Sequence, residues 1–415
     1  MVITEQQIRE DLYQGYFDAR QHKRNTLAQL NFEIFSEHEL EDLIFDLVHR
    51  RYKPKPAYCF ITFDPIQREV YASQFRDRVV QHMLFNYLAP LFEPLFIYDT
   101  YSCRIGKGTL FGVERYQHHL RSVTNNFTQE AYVLYLDLSG YFMSIDKKLV
   151  IDTIMTEVYK HLEKPAFDSV LWKYKLDPEF IEYLLHCMLD RNPSIDCIRM
   201  GSLDNWVGLP KRKCLRYSPE GFGIVIGDIT SQLFSNILLN IYDQFVKRII
   251  KIRHYGHYVD DMFHMHESER FLIDAKPCLE EFLNEKVHVK VNSDKWRLLP
   301  ASAANQYLGA YGQIAEDTTL CDADEDGTRG ILHANLVVHI ALHVVGGDHG
   351  LDLQVFIDLL VYALGVHLVA EFLFQCCDGD DIRLLDVGVA IERIVGGRFV
   401  PVAIHAGCEE ATYKC

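Results

Sequence analysis

Ala131-Tyr132-Val133-Leu134-Tyr135-Leu136-Asp137-Leu138-Ser139-Gly140-Tyr141-Phe142 is the stretch on which the reading of this chain turns. Residues 131–138 form an apolar run with two tyrosines, broken only by the acid near its end. A run of that length and composition reads as a buried strand. Asp137 at its end is either a strand-end cap or a functional carboxylate. Downstream, residues 255–266 read as a hairpin whose turn, Tyr258-Val259-Asp260-Asp261, carries two adjacent acids. Neighbouring carboxylates repel each other unless a cation neutralises them.

Helical patterns surround these strands. Residues 4–51 place Ile8, Leu12 and Tyr16, then Leu40, Leu43 and Leu47, at helical spacing, and Lys53-Pro54-Lys55-Pro56 ends the pattern. A strand is predicted at 57–63. A long helix is predicted from 73 to about 88, closed by Pro90. Ile105-Gly106-Lys107-Gly108-Thr109 is a glycine-flanked turn before a helix to about 123. Two helical stretches fill about 148–190, and another helix spans 230–249. Between them, residues 193–223 are rich in Gly, Pro, Lys and Arg and read as an irregular insertion. A helix at 271–284 and short strands at 287–291 and 296–299 follow. The fold class is α+β.

With 415 residues, 48% hydrophobic and 24% charged, the chain has room for more than one packed unit. No segment offers the ~18 uninterrupted apolar residues of a membrane span. The first ten residues lack the apolar core of a signal peptide. A cytoplasmic protein with no membrane contact is expected. Eleven cysteines without a C-x-x-C pair read as reduced, buried thiols, Cys59, Cys103, Cys187 and Cys197 among them. The net charge of −16 opposes phosphate binding, but it is unevenly spread. From Ile314 onward there are five Lys and Arg against seventeen Asp and Glu, a net of −12, which leaves the first 313 residues at −4. A near-neutral body can hold a basic cleft.

Transfer of a nucleotide to a growing strand uses two divalent ions, one at the attacking hydroxyl and one at the triphosphate. Mg²⁺ prefers oxygen ligands and keeps several waters, so two or three converging carboxylates suffice. In order and surroundings, these motifs resemble those of reverse transcriptases over residues 75–309. Tyr135 to Phe142 is similar to the family's first palm motif, Ile226-Gly227-Asp228-Ile229-Thr230-Ser231-Gln232 to the second, and Tyr258-Val259-Asp260-Asp261 to the third.

The resemblance implies a right-hand fold: helical fingers in 1–130, an antiparallel-sheet palm in 131–311, and 312–415 in the thumb position. It makes Asp137, Asp260 and Asp261 the ligands of two Mg²⁺ ions, with Mn²⁺ as an alternative. It makes Lys295 the proton donor to pyrophosphate. Phe142 becomes an aromatic gate against the ribose 2′ hydroxyl. Arg104 and Lys107 meet the triphosphate, and Leu138, Ile226, Gly227, Ser231 and Gln232 line the nucleotide site. Tyr307, Leu308 and Gly309 form the primer grip. The implied partners are an RNA template, a DNA or RNA primer and deoxynucleoside triphosphates.

Ile226-Gly227 and Ser231-Gln232 replace the Gln-Gly and Ser-Pro of most retroelement enzymes. That variant resembles the error-prone enzymes of diversity-generating retroelements, and defence-type bacterial reverse transcriptases share parts of it. The acidic, lysine-poor stretch after Tyr311 departs from the family's basic thumb. It is either a different domain or foreign to the fold. That departure implies a basic accessory protein, and it leaves a catalytically silent RNA-binding protein as a rival reading.

Overall fold

Thr4 opens the first helix by accepting a hydrogen bond at Oγ1 from the Gln7 amide (3.2 Å), and α1 runs over Glu5–Arg20. In this computed structural model the described residues are 2–21, 26–63, 66–304, 306–308 and 310–311, with three strands between 367 and 405. They fall into two compact units, Met1–Ala315 and Glu316–Cys415.

In the first unit, α2 (Leu27–Ile34) and α3 (Ser36–Val48) follow α1. The helical stretch expected over 4–51 is therefore three helices. Phe35, at φ −122°, breaks the last two apart. β1 (Tyr58–Thr62) and β2 (Arg68–Ala72) form an antiparallel hairpin, of which the sequence announced only the first strand. α4 (Phe75–Phe92) runs two residues past Pro90 instead of ending before it. Leu91 and Phe92 are 2% and 3% exposed, and their burial holds the last turn together despite the proline.

α5 (Thr109–Val123) leads to β3 (Tyr132–Asp137). Then come α6 (Tyr141–Ser144), α7 (Lys147–Leu162), α8 (Val170–Lys173) and α9 (Pro178–Leu189). The insertion holds α10 (Pro193–Asp196), β4 (Ile198–Arg199) and three short 3₁₀ turns. β4 pairs in parallel with β1, giving a sheet of order β2-β1-β4.

α11 (Ile229–Gln244) runs on into a π-helical turn, Phe245–Ile250. β5 (His254–Tyr258), β6 (Asp261–His266), α12 (Glu269–Phe282) and β7 (Arg297–Pro300) complete the main sheet. β8 (Gln306–Tyr307) and β9 (Ala310–Tyr311) form a small ribbon. The strand expected at 287–291 does not form. A π turn ends at Val287, His288 takes φ +61°, and only Val291 bridges to Leu138.

The main sheet has order β5-β6-β3-β7 and is antiparallel throughout. Both of its faces are covered. Leu134 and Leu136 of β3 join a core with Phe234 and Leu238 of α11 and with Leu272 and Leu279 of α12. Val133 and Tyr135 join a second core with Tyr116 and Leu120 of α5. Two covered faces explain why β3 reads as a continuous apolar run and not as an alternation. Cys59 is buried and Cys187 and Cys197 are half-buried, whereas Cys103 is exposed, contrary to expectation.

In the second unit, β10 (His367–Ala370), β11 (Gly388–Val395) and β12 (Arg398–His405) form an antiparallel sheet in that order. Gly309 and the rest of 312–415 lie outside the described residues.

Candidate functional site

Strand register brings the acids together. Asp137 on β3 is the direct partner of Asp261 on β6, so their side chains leave the same face of the sheet. Tyr258 pairs with Asp261, which leaves Val259 and Asp260 as a two-residue turn. Val259 has φ +53°, a conformation that costs a β-branched residue about 1–3 kcal/mol. Surrounding bonds hold it there. His257 Nδ1 lies 3.0 Å from the Val259 carbonyl, and the Tyr307 hydroxyl donates to the Asp261 carbonyl (3.2 Å).

His257 is itself fixed from below. Its Nε2 is 3.1 Å from Asp243 Oδ2, and both side chains are wholly buried. Asp243 also accepts from the hydroxyls of Tyr255 (2.6 Å) and Thr100 (3.0 Å). Burial pulls the His257 pKa down, but the Asp243 carboxylate and the Val259 carbonyl outweigh it and the net shift is upward. The turn therefore rests on a wholly buried His257–Asp243 pair.

Asp137 accepts from Asn292 Nδ2 at Oδ1 and from Lys295 Nζ at Oδ2, both at 3.0 Å. Burial, followed by the charge of Asp261, pushes the Asp260 carboxyl up to about 6. Asp261 is also raised, by burial and then by Asp137, with Lys295 and Arg68 acting against the shift. This is how carboxylates behave where a cation would relieve them.

Asp137 and Asp261 stand where two hollows meet, and Asp260 lines the first of them. One, of about 360 Å³, is lined by Asp137, Asp260 and Asp261 together with Leu138, Phe142 and Ile226. The other, of about 790 Å³, shares Asp137 and Asp261 and continues to Tyr307 and Leu308. Lys295 lines both.

Other expected contacts fall elsewhere. Arg104 folds back onto Glu93 and the carbonyls of Ile97 and Thr100, with its side chain 7% exposed. Lys107 donates to the Tyr98 carbonyl and lies over the rings of Tyr98 and Phe111. Neither lines either hollow, because local acceptors within eleven residues already claim both side chains. Gly227, at φ +126°, serves a close approach: a Cβ there would meet the Tyr71 carbonyl at 2.9 Å. Ser231 faces a separate small cavity beside Asp228, and Gln232 is half-buried on α11.

Sequence reasoning missed the cations that do line the first hollow besides Lys295, which are Arg68 on β2 and Arg212 and Lys213 of the insertion. The basic run Lys211-Arg212-Lys213 was visible, but nothing local said where it would dock.

These features define a mixed α/β protein with an antiparallel sheet and a carboxylate site joining two hollows. No protein-family model matches the chain. It is similar to Protein YkfC of Escherichia coli (strain K12), at 26% identity over 314 residues that cover 73% of this chain. The match spans 65% of that protein's length. Among solved structures, telomerase from Candida albicans, in complex with a TWJ fragment of telomeric RNA, aligns at TM-score 0.40 and 11% identity. That alignment covers 61% of this chain and 44% of the other, a likeness too slight to carry an argument. Among the described residues, no helix is long and apolar enough to cross a membrane.

Proposed function

We propose that the protein is an RNA-directed DNA polymerase. The observation that carries this reading is the register of β3 against β6, which sets Asp137 beside Asp261 and the strained Val259–Asp260 turn where a nucleotide-sized hollow meets a larger groove. Among the described residues no three His, Cys, Asp or Glu side chains already form a metal cage. Mg²⁺ does not need one, since it binds through one or two carboxylates, waters and substrate phosphates. The all-oxygen donor set fits it. Two such ions, when bound, would acidify the primer 3′ hydroxyl and balance the triphosphate charge.

The chain's own residues do the rest. Asp137, Asp260 and Asp261 would supply the oxygen ligands of those ions. The primer enters the groove at Tyr307 and Leu308, and its 3′ hydroxyl gives up its proton to solvent as the oxygen attacks the α-phosphate. The bond to the β-phosphate breaks and pyrophosphate leaves. Lys295, now on Asp137, carries the proton that the leaving group takes. Phe142 lines the nucleotide hollow, where its ring excludes a 2′ hydroxyl.

The finer reading, error-prone copying of a template RNA as in diversity-generating retroelements, rests on Ile226. An aliphatic side chain at that wall offers no hydrogen bond to check the nascent pair. Ile226→Gln is expected to lower misincorporation opposite template adenine, read by sequencing cDNA from an adenine-rich template. An unaltered error spectrum removes this finer reading. Primer extension with purified protein, an RNA template and Mg²⁺ tests the broader one. Template-dictated DNA is the expected product. Template-independent addition would instead favour a defence-type enzyme, and no synthesis a silent RNA-binding protein.

A further inference from the structure

The inserted segment 193–223 is not a loose loop. Ile198 and Met200 donate to the carbonyls of Ala57 and Cys59 (both 2.8 Å), extending the β1–β2 sheet. Gln67 Nε2 donates to the carbonyls of Asn205 (2.7 Å) and Val207 (3.1 Å). Glu69, 4% exposed, accepts from the Trp206 indole (2.9 Å) and the Leu215 amide (2.8 Å). Two backbone clamps tie the segment's return to the stretch after Asp137: Gly223 donates to Ile145 (2.8 Å) and Ile224 to Phe142 (2.9 Å). At Gly140 the fit is so close that a Cβ would stand 2.5 Å from the Arg212 carbonyl.

These anchors carry Arg212 and Lys213 to the wall of the nucleotide hollow. Arg212 is exposed and Lys213 half-buried, and among the described residues neither side chain makes an ion pair or hydrogen bond. Both line the first hollow and not the groove that holds Tyr307 and Leu308. In an in-line displacement the attacking and leaving oxygens lie on opposite sides of the reacting phosphorus. A hydroxyl arriving from the groove therefore expels its leaving group into the first hollow, which Arg212 and Lys213 line together with Arg68 and Lys295.

We propose that Arg212 and Lys213 are the subsite for the β- and γ-phosphates of the incoming nucleoside triphosphate, and that Glu69 is the positioning residue that holds them there. This rests on the polymerase reading and adds to it a phosphate-binding role for the insertion. Arg and Lys suit the task, one as a bidentate fork and the other as a point charge, and phosphate oxygens are their natural partners.

The test uses the full chain with a primer ended in a dideoxynucleotide on an RNA template, so that dNTP binds without reacting. R212Q/K213Q is expected to raise the dNTP Kd about tenfold or more. Primer–template affinity and its salt slope should stay as in wild type. Arg212 is exposed and Lys213 only half-buried, so the melting temperature should also hold. Glu69→Gln should raise the dNTP Kd in the wild-type background and add little in R212Q/K213Q.

An unchanged dNTP Kd overturns the proposal. So does weaker primer–template binding with a shallower salt slope, which would mean that the pair tracks a nucleic-acid backbone. Failure of the wild type to extend any primer would sink the polymerase reading alone. The free protein then decides the subsite: preference for dCTP over dCMP, lost in R212Q/K213Q, supports it, and the absence of such a preference ends it.

Discussion

The two walls of the smaller hollow are built on different principles. The acidic wall is made by neighbouring strands in fixed register and braced from below by Asp243, His257, Tyr255 and Thr100, all wholly buried. The basic wall hangs on short turns, docked by backbone pairing and one buried carboxylate, Glu69, with its cations reaching solvent. On the proposed reading, metal ligation would need sub-ångström placement, which the sheet supplies. Phosphate charge falls off gently with distance, so flexible side chains on an anchored turn can meet it.

The sharpest way to break this contrast is to neutralise the acidic wall. Asp137→Asn and Asp260→Asn should each cut DNA synthesis by on the order of 10³-fold or more, with the circular dichroism spectrum unchanged. Near wild-type extension by either variant would remove the metal assignment.

Next in size is the brace beneath the turn. His257→Gln removes the imidazole that pairs with Asp243 and leaves that wholly buried side chain without one of its partners. Activity should fall by about 10–100-fold, as when a second layer behind a metal ligand is lost. Urea unfolding should also show a loss of up to about 3–5 kcal/mol. A stable variant with full activity would show that the pair only fills space.

A smaller effect, of opposite sign, concerns stability and pH. The Asp260 carboxyl sits at about 6 when folded and near 3.9 when unfolded. Between those values the folded state binds more protons, so stability falls as pH rises through the window and stays lowered above it. Without divalent ions, Asp260→Asn should therefore be the more stable protein at pH 7.5, by on the order of 1 kcal/mol. The difference should close below about pH 4. Thermal melts across pH would check this, and a variant less stable than wild type at pH 7.5 would contradict the electrostatic account.

The acidic wall was legible in the sequence and the basic wall was not. A strand buried on both faces announces itself as an unbroken apolar run, and paired acids at a hairpin turn stand out. Register then follows from the two-residue turn. Arg212 and Lys213 belong to an insertion that docks partly through pairing between β1 and β4, strands about 140 residues apart, which no local pattern encodes, and Arg68 lies on β2, a strand the sequence did not announce. Arg104 and Lys107, expected at the triphosphate because a basic glycine turn suits phosphate, line neither hollow. The acceptors that quench them, Glu93 and three carbonyls, are apparent only once the chain is folded.

The smallest effect is expected from the acidic end of the chain. Residues from Ile314 onward carry five scattered basic residues against seventeen acidic ones, a field that repels a polyanion. Truncation after Tyr311 should leave primer–template affinity and its salt slope almost unchanged. A large loss with a shallower slope would mean that the segment grips duplex and that no basic accessory protein is needed.

The most direct test replaces Mg²⁺ with Fe²⁺ and adds ascorbate, so that radicals formed at the bound ion cut the nearby backbone. Fragments ending near Asp137 and near Asp260–Asp261 are expected in the wild type, suppressed by excess Mg²⁺ and absent in Asp260→Asn. Cleavage confined to other parts of the chain, or unchanged in the variant, would show that the metal is not held where β3 meets the turn.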